Sequence, residues 1–242
     1  MTDMIEVEDL VKCPACGGAF DDHTRHGNSM TLEDQPHVYQ HCSVCGVWAL
    51  NPRMTDAFTK EYYGGQYRDA RPIEPNILMW QVTRAKTQYG LVGDLMRGKT
   101  YLELGSSSGY LMREFYYRGF ACTSVDPDPD SGAMFADLSE VPPEPYDIIA
   151  MSHVFEHFNH PLAVLKTLAR DYAYSGTRIM IDVPNLTKAK ENAVFQIHHP
   201  FAYDLDNLTK LLEMAGCKVI FSAVHGDGLE NEDNLLVVAE VQ

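Results

Sequence analysis

Two Cys-x-x-Cys pairs, Cys13-Pro14-Ala15-Cys16 and Cys42-Ser43-Val44-Cys45, constrain the start of the chain more than any other feature, because four thiolates in this pattern can close on one ion. Each pair is followed by a glycine, Gly17 and Gly46, which tolerates the turn that aims backbone amides at the sulfurs. The spacing is that of a zinc ribbon with Cys13, Cys16, Cys42 and Cys45 as tetrahedral ligands of Zn2+. A thioredoxin-like redox pair would need a strand before and a helix after a single motif, and neither is visible. His23, His26, His37 and His41 lie between the pairs and could each replace a cysteine, but four thiolates leave no need for that. Val38, Tyr39, Val47, Trp48 and Leu50 alternate as short strands around the metal. A closed four-cysteine site has no open coordination position, so the metal is expected to be structural. Cys122 and Cys217 lie in apolar runs and read as inert core.

Cysteines used this way point to a reducing compartment. The first ten residues carry Asp3, Glu6, Glu8 and Asp9 where an export signal needs basic residues and an apolar stretch. The longest purely apolar runs, such as Leu235 to Ala239, are strand-length. The expectation is a soluble, cytoplasmic protein with no membrane segment. Acidic residues outnumber basic ones 34 to 19, for a net charge of -15, which argues against nucleic acid or an anionic membrane as partner.

Between Asn51 and Gly98 the breaks at Pro52, Pro72, Pro75, Gly64 and Gly65 mark a connector, and Tyr62, Tyr63 and Tyr67 cluster within it. Those tyrosines form either a lid over a site or packing against the domain that follows. Ile77 to Met96 has helical periodicity, with a break expected at Gly90. From Lys99 onward short apolar strands alternate with amphipathic helices, the pattern of a parallel sheet covered by helices. Strands are expected at Tyr101 to Leu104, Ala121 to Val125, Tyr146 to Met151 and Arg178 to Val183. Helices are expected near Tyr110 to Arg118, Pro161 to Tyr172 and Leu205 to Ala215, the last capped by Asp204 and stopped by Gly216. Cys217 to Val224 and Asn234 to Val241 follow with no helix between them, joined by an acidic loop, and should pair antiparallel.

After the first of these strands comes Glu103-Leu104-Gly105-Ser106-Ser107-Ser108-Gly109, running directly into a helix. Small residues let a ligand approach the backbone, and the helix start offers free amides. The loop lacks the Lys-Ser/Thr of a Walker motif and the three-glycine spacing of the dinucleotide fingerprint. Asp126 ends the next strand, where a carboxylate can accept both hydroxyls of a ribose. Asp128 and Asp130 read as a solvated acidic turn.

With these residues the chain resembles the class I S-adenosylmethionine-dependent methyltransferases, in particular a group carrying an N-terminal zinc ribbon. The resemblance runs over nearly the whole chain. CSVCGVWALNPR, Cys42 to Arg53, is similar to the ribbon-to-linker passage, and Glu103 to Gly109 to the glycine motif. Asp126 falls at the ribose acid and Ala136-Asp137-Leu138 at the adenine segment. Tyr146 to Ile149 with His153-Val154-Phe155-Glu156-His157 resembles the fourth strand and its exit; Ile181 to Asn185 resembles the fifth strand and its turn. The resemblance implies a Rossmann-like α/β sheet, parallel with an antiparallel final strand, and S-adenosylmethionine as cofactor held by Glu103, Gly105, Ser107, Gly109, Asp126, Asp137 and His153. Two departures stand out: Ser107 replaces the motif's middle glycine, and ten residues between Asp126 and Asp137 are too few for a full crossover helix and strand, so a helical stub is expected.

His153 to His157 also fits H-x-x-E-H, a zinc-protease pattern that requires both histidines on one helical face. Here the residues leave a strand, and Pro161 only then starts a helix, so that reading is rejected. His153 is expected at the methionine end of the cofactor, with Glu156 and His157 bonding the turn. His198 and His199 follow the polar stretch Asn185 to Gln196, where a substrate would enter. Either is a general base or a capping residue beside Pro200; with His153 they form the candidate catalytic set.

The reading is therefore a zinc-ribbon module at 1–50, a linker and helical segment at 51–98, and a methyltransferase domain at 99–242. Its substrate would be a small-molecule methyl acceptor, a sugar or related metabolite. Ribbon-bearing relatives that methylate carbon carry a further C-terminal domain, so oxygen or nitrogen is favoured. Acidic loops around the pocket favour a neutral or cationic acceptor. The rivals are a nicotinamide-dependent oxidoreductase and a non-enzymatic binding module with a vestigial domain.

Overall fold

The computed structural model describes residues 5–26, 38–67, 75–189, 194–226 and 233–242; His37, Pro72, residues 190–193 of the polar stretch and residues 227–232 of the acidic loop lie outside them. Among the described residues the amino-terminal part forms β1 (Val7–Glu8), β2 (Phe20–His26), β3 (Val38–Cys42), β4 (Trp48–Asn51) and β5 (Arg53–Met54). Then come α1 (Asp56–Glu61), a π-helical turn at Tyr62–Gln66, and α2 (Pro75–Val92). Gly90 does not break α2. It lies on the exposed face, while Ala85, Gln88 and Val92 are buried on the other, and that packing outweighs the roughly 1 kcal/mol a mid-helix glycine costs.

The second half alternates as expected: β6 (Thr100–Leu104), α3 (Tyr110–Tyr116), β7 (Ala121–Val125), β8 (Ile148–Ser152), α4 (Pro161–Asp171) and β9 (Arg178–Pro184). A two-residue strand β10 (Phe201–Ala202), α5 (Leu205–Met214), β11 (Cys217–Gly226) and β12 (Asp233–Val241) complete it. Asp204 and Asn207 form a reciprocal cap on α5, and Gly216 ends it at φ 82°.

Six strands make one sheet in the order β11-β12-β9-β8-β6-β7. The four from β9 to β7 are parallel, and β12 runs antiparallel to both its neighbours. Period-two alternation sends each strand's side chains to two cores. Tyr101, Ile148, Met180 and Leu236 face α2 and α3, whereas Leu102, Ile149, Ile181 and Val237 face α4 and α5. The stretch from Asp126 to Asp137 holds no helix, not even a stub. Ten residues suffice only for turns and one bridge, Val125 to Phe135, which covers the β7 edge with two backbone hydrogen bonds.

A second sheet, in the order β10-β4-β3-β2, joins the ribbon to the α/β half: Phe201 pairs with Ala49 and Ala202 with Trp48. The cysteine knuckle also packs on α5, where Asn207 Nδ2 donates to the Gly46 carbonyl at 3.4 Å, and Cys42 and Cys45 share a core with Leu208 and Leu211.

Candidate functional site

Strand order reverses at β6, which has β7 on one side and β8 on the other. At such a switch point the loops leaving the carboxyl ends part to opposite faces and open a crevice. A cleft of about 690 Å³ lies there, within the range of small-molecule pockets.

One wall is the glycine loop. Gly105 sits at φ 66°, and a Cβ there would lie 2.1 Å from Val154 Cγ2, so only glycine lets the loop pass this close to the β8 exit. Ser107 adopts φ 45° without being glycine. Its amide donates to Asp126 Oδ2 at 2.6 Å, and Asp126 Oδ1 accepts from Asp128 N at 2.9 Å, so the expected ribose acid also pins the loop. Glu103 is 2% exposed. Burial pushes its carboxyl up to about 8, although Tyr101 donates to it at 2.9 Å. Asp137 caps a 3-10 turn by accepting from Ser139 N at 2.9 Å, and that amide first, with the Ser139 hydroxyl, holds it below the usual carboxylate range. Of the cofactor residues expected from sequence, Glu103, Gly105, Ser107, Asp126, Asp137 and His153 line the cleft; Gly109 does not, and instead starts α3 at φ 71°.

The β8 exit beside this loop, together with the segment before β10, carries the histidines. His153 stands at φ 54° with its ring against Trp80 and its Nδ1 3.6 Å from Glu156 Oε1. Burial first, then the Arg84 charge, holds His153 neutral, well below the ordinary range. Burial likewise pushes Glu156 up to about 8. His157, His198 and His199 form a compact group, with ring centroids 4.7 to 5.6 Å apart. Tyr63 and Tyr67 line the cleft above them, and the Tyr63 hydroxyl lies 2.8 Å from His157 Nδ1. Sequence reasoning set aside Glu156 and His157, and it did not single out Trp80, Arg84, Gln88 or Asn234, which also line the cleft. The H-x-x-E-H spacing was the one signal for the first pair.

The four ribbon cysteines converge: Cys13 and Cys45 sulfurs are 3.8 Å apart, those of Cys16 and Cys42 3.5 Å, and none of the four lines the cleft. The ribbon nevertheless reaches the site, because the Tyr39 hydroxyl, fully buried, is 2.7 Å from the carbonyls of both Gln196 and His199. Part of the acidic excess leaves the cleft: Asp147 sits at the amino end of β8. Burial opposes its charge, but the Lys99 and Thr100 amides and the Tyr174 hydroxyl hold it near 2.

Among solved structures the chain is similar to a 1,6-didemethyltoxoflavin-N1-methyltransferase from Burkholderia thailandensis, at 15% identity and a TM-score of 0.62, covering 90% of this chain and 100% of that one. It is also similar to a magnesium protoporphyrin IX methyltransferase from Synechocystis, at 12% identity and 0.56, covering 78% and 100%. A mitomycin 7-O-methyltransferase follows at 14% and 0.51, covering 75% and 65%. At these identities the likeness is one of fold. No curated protein sequence matches. No helix among the described residues is long and apolar enough to cross a membrane. Residues 82–221, more than half of the chain, match the family model described as a methyltransferase domain. The chain therefore belongs to the methyltransferase-domain family, on the sheet of the class I S-adenosylmethionine-dependent enzymes.

Proposed function

We propose that this protein transfers a methyl group from S-adenosylmethionine to a small molecule, on oxygen or nitrogen rather than carbon. The observation that carries this is the bond from the Ser107 amide to Asp126, which joins the glycine loop and the ribose acid into one wall of the switch-point cleft. Glu103, Gly105, Ser107, Asp126, Asp137 and His153 would hold the donor, with Gly109 setting the loop. His198, His199 or His153 would take the acceptor's proton where the nucleophile carries one. Transfer itself asks for in-line placement of nucleophile, methyl carbon and sulfur. Asp126, Asp128 and Asp137 on the cleft suit a neutral or cationic acceptor better than a phosphorylated one.

We further propose structural zinc on Cys13, Cys16, Cys42 and Cys45. Four sulfurs 2.3 Å from a tetrahedral ion stand about 3.8 Å apart, close to the spacings here. The division at 1–50, 51–98 and 99–242 and a cytoplasmic location belong to the same reading, since thiolate ligands persist in a reducing compartment.

Calorimetry with S-adenosylmethionine and S-adenosylhomocysteine tests it. Both should bind and NADH should not; no binding of either at millimolar concentration would end the reading. Asp126→Ala removes charge-assisted bonds of roughly 1.5–3 kcal/mol each, so affinity should fall about 100-fold.

A further inference from the structure

The cleft contains a donor set that binding of the methyl donor does not use. Glu156, His157 and His199 each bring one potential ligand atom to within 4.8 Å of the other two. They come from two separate segments, the turn after β8 and the approach to β10.

Both rings are oriented by backbone carbonyls. His157 Nδ1 is 2.7 Å from the His198 carbonyl, and His199 Nδ1 is 2.9 Å from the Val194 carbonyl. A carbonyl only accepts, so each neutral imidazole carries its proton on Nδ1 and its lone pair on Nε2. Outer-shell carbonyls fix metal-ligating histidines in this way. The Tyr63 hydroxyl adds to the arrangement, donating to the same His198 carbonyl at 3.2 Å. Glu156 is 2% exposed, and neither of its carboxylate oxygens has a hydrogen-bond partner. Ionising a carboxyl buried without a hydrogen-bond donor is costly, and a cation beside it would remove that cost.

We propose that Glu156, His157 and His199 are the protein ligands of a divalent transition-metal ion of the zinc, cobalt or iron type, and that its remaining positions take an oxygen of the methyl acceptor. Two imidazoles and one carboxylate with open positions are the donor set of a catalytic metal site, unlike the closed set of four thiolates in the ribbon. Ligands 2.0–2.1 Å from a tetrahedral ion stand about 3.4 Å apart, against an upper limit of 4.8 Å among these three. The H-x-x-E-H run thus supplies its adjacent Glu156 and His157, from a 3-10 turn, instead of two histidines on one helical face.

The acceptor half of the proposal rests on the methyl-transfer reading of the cleft; the metal half does not. On coordination the acceptor hydroxyl releases its proton more readily, to His198 or His153 of the candidate bases, since His199 as a metal ligand cannot take it. The new O–CH3 bond then forms as the S–CH3 bond of the sulfonium breaks, and the donor leaves as the neutral thioether. An oxygen acceptor gains more from this than a neutral amine, which narrows the choice left open above.

The test uses the full chain with zinc already in the ribbon, titrated with Co2+ and followed by native mass spectrometry and calorimetry. Wild type should bind one ion beyond the ribbon zinc. Glu156→Gln and His199→Gln should each weaken that binding at least about 100-fold, and Tyr63→Phe about tenfold, while S-adenosylhomocysteine affinity is kept as the control for folding. No second ion at millimolar Co2+, or undiminished binding by Glu156→Gln, overturns the site. Co2+ binding without S-adenosylhomocysteine binding would leave the metal site standing and refute the methyl-transfer reading; the reverse result would refute the metal site alone.

Discussion

Replacing Gly105 by alanine probes the closest approach in the cleft. The new methyl would start 2.1 Å from Val154 Cγ2 and about 3 Å from two further Val154 atoms, with the backbone at φ 66°. The left-handed conformation costs an L-residue roughly 1–2 kcal/mol. Overpacking of this kind adds typically 1–3 kcal/mol, because Val154 is held between the loop and the turn that carries Phe155 and Glu156. Gly105→Ala should therefore lose about 2–5 kcal/mol in urea denaturation. Val154→Ala removes the clashing atom but leaves the backbone strain, so the double variant should recover the overpacking part alone, a coupling of about 1–3 kcal/mol in a double-mutant cycle. Additive losses, or a single-variant loss below about 0.5 kcal/mol, would refute the idea that the glycine loop and the β8 exit are packed as one unit.

Glu103→Gln tests the buried carboxyl beside Tyr101. Its folded value near 8 lies above its ordinary 4.5, so from pH 4.5 to 8 the folded chain keeps a proton the unfolded chain has released, and stability falls as pH rises. The glutamine variant should match wild type near pH 4.5 and exceed it by a few kcal/mol at pH 8, at up to about 1.4 kcal/mol per unit; a gap independent of pH would show that burial does not tune this group. Tyr39→Phe removes the hydroxyl that lies 2.7 Å from the carbonyls of Gln196 and His199; the Gln196 carbonyl keeps the His199 amide at 2.9 Å, so the loss falls mainly on the buried His199 carbonyl. It should cost roughly 1–3 kcal/mol in thermal or urea melts, and a change under about 0.5 kcal/mol would mean that Tyr39 does not anchor the histidine segment.

Local signals carried much of the fold. The strand from Ala121 to Val125 and the cap at Asp204 were legible because period-two apolarity and capping chemistry act within a few residues. The shortage of chain between Asp126 and Asp137 was legible as a count, though the outcome was turns rather than a stub. Gly90 misled because burial of Gln88 and Val92 is a tertiary effect that propensity does not contain. The pairing of Phe201–Ala202 with the ribbon was hidden, since a two-residue strand after Pro200 has no period to detect. The histidine group was half visible: His157 and His199 are far apart in sequence, and only the return of the chain toward β10 brings their rings to 4.9 Å.

The strand pair between β4 and β10 makes the amino-terminal ribbon a poor candidate for removal or exchange. Cutting the chain after residue 50 would strip Phe201 and Ala202 of their neighbour and expose a bare, apolar sheet edge two residues from His199. Such an edge invites pairing with other chains. A fragment trimmed in this way would thus gain an edge prone to association and lose the hydroxyl against the Gln196 and His199 carbonyls together, and a segment grafted from another protein would have to supply both the backbone register of β4 and the hydroxyl of Tyr39.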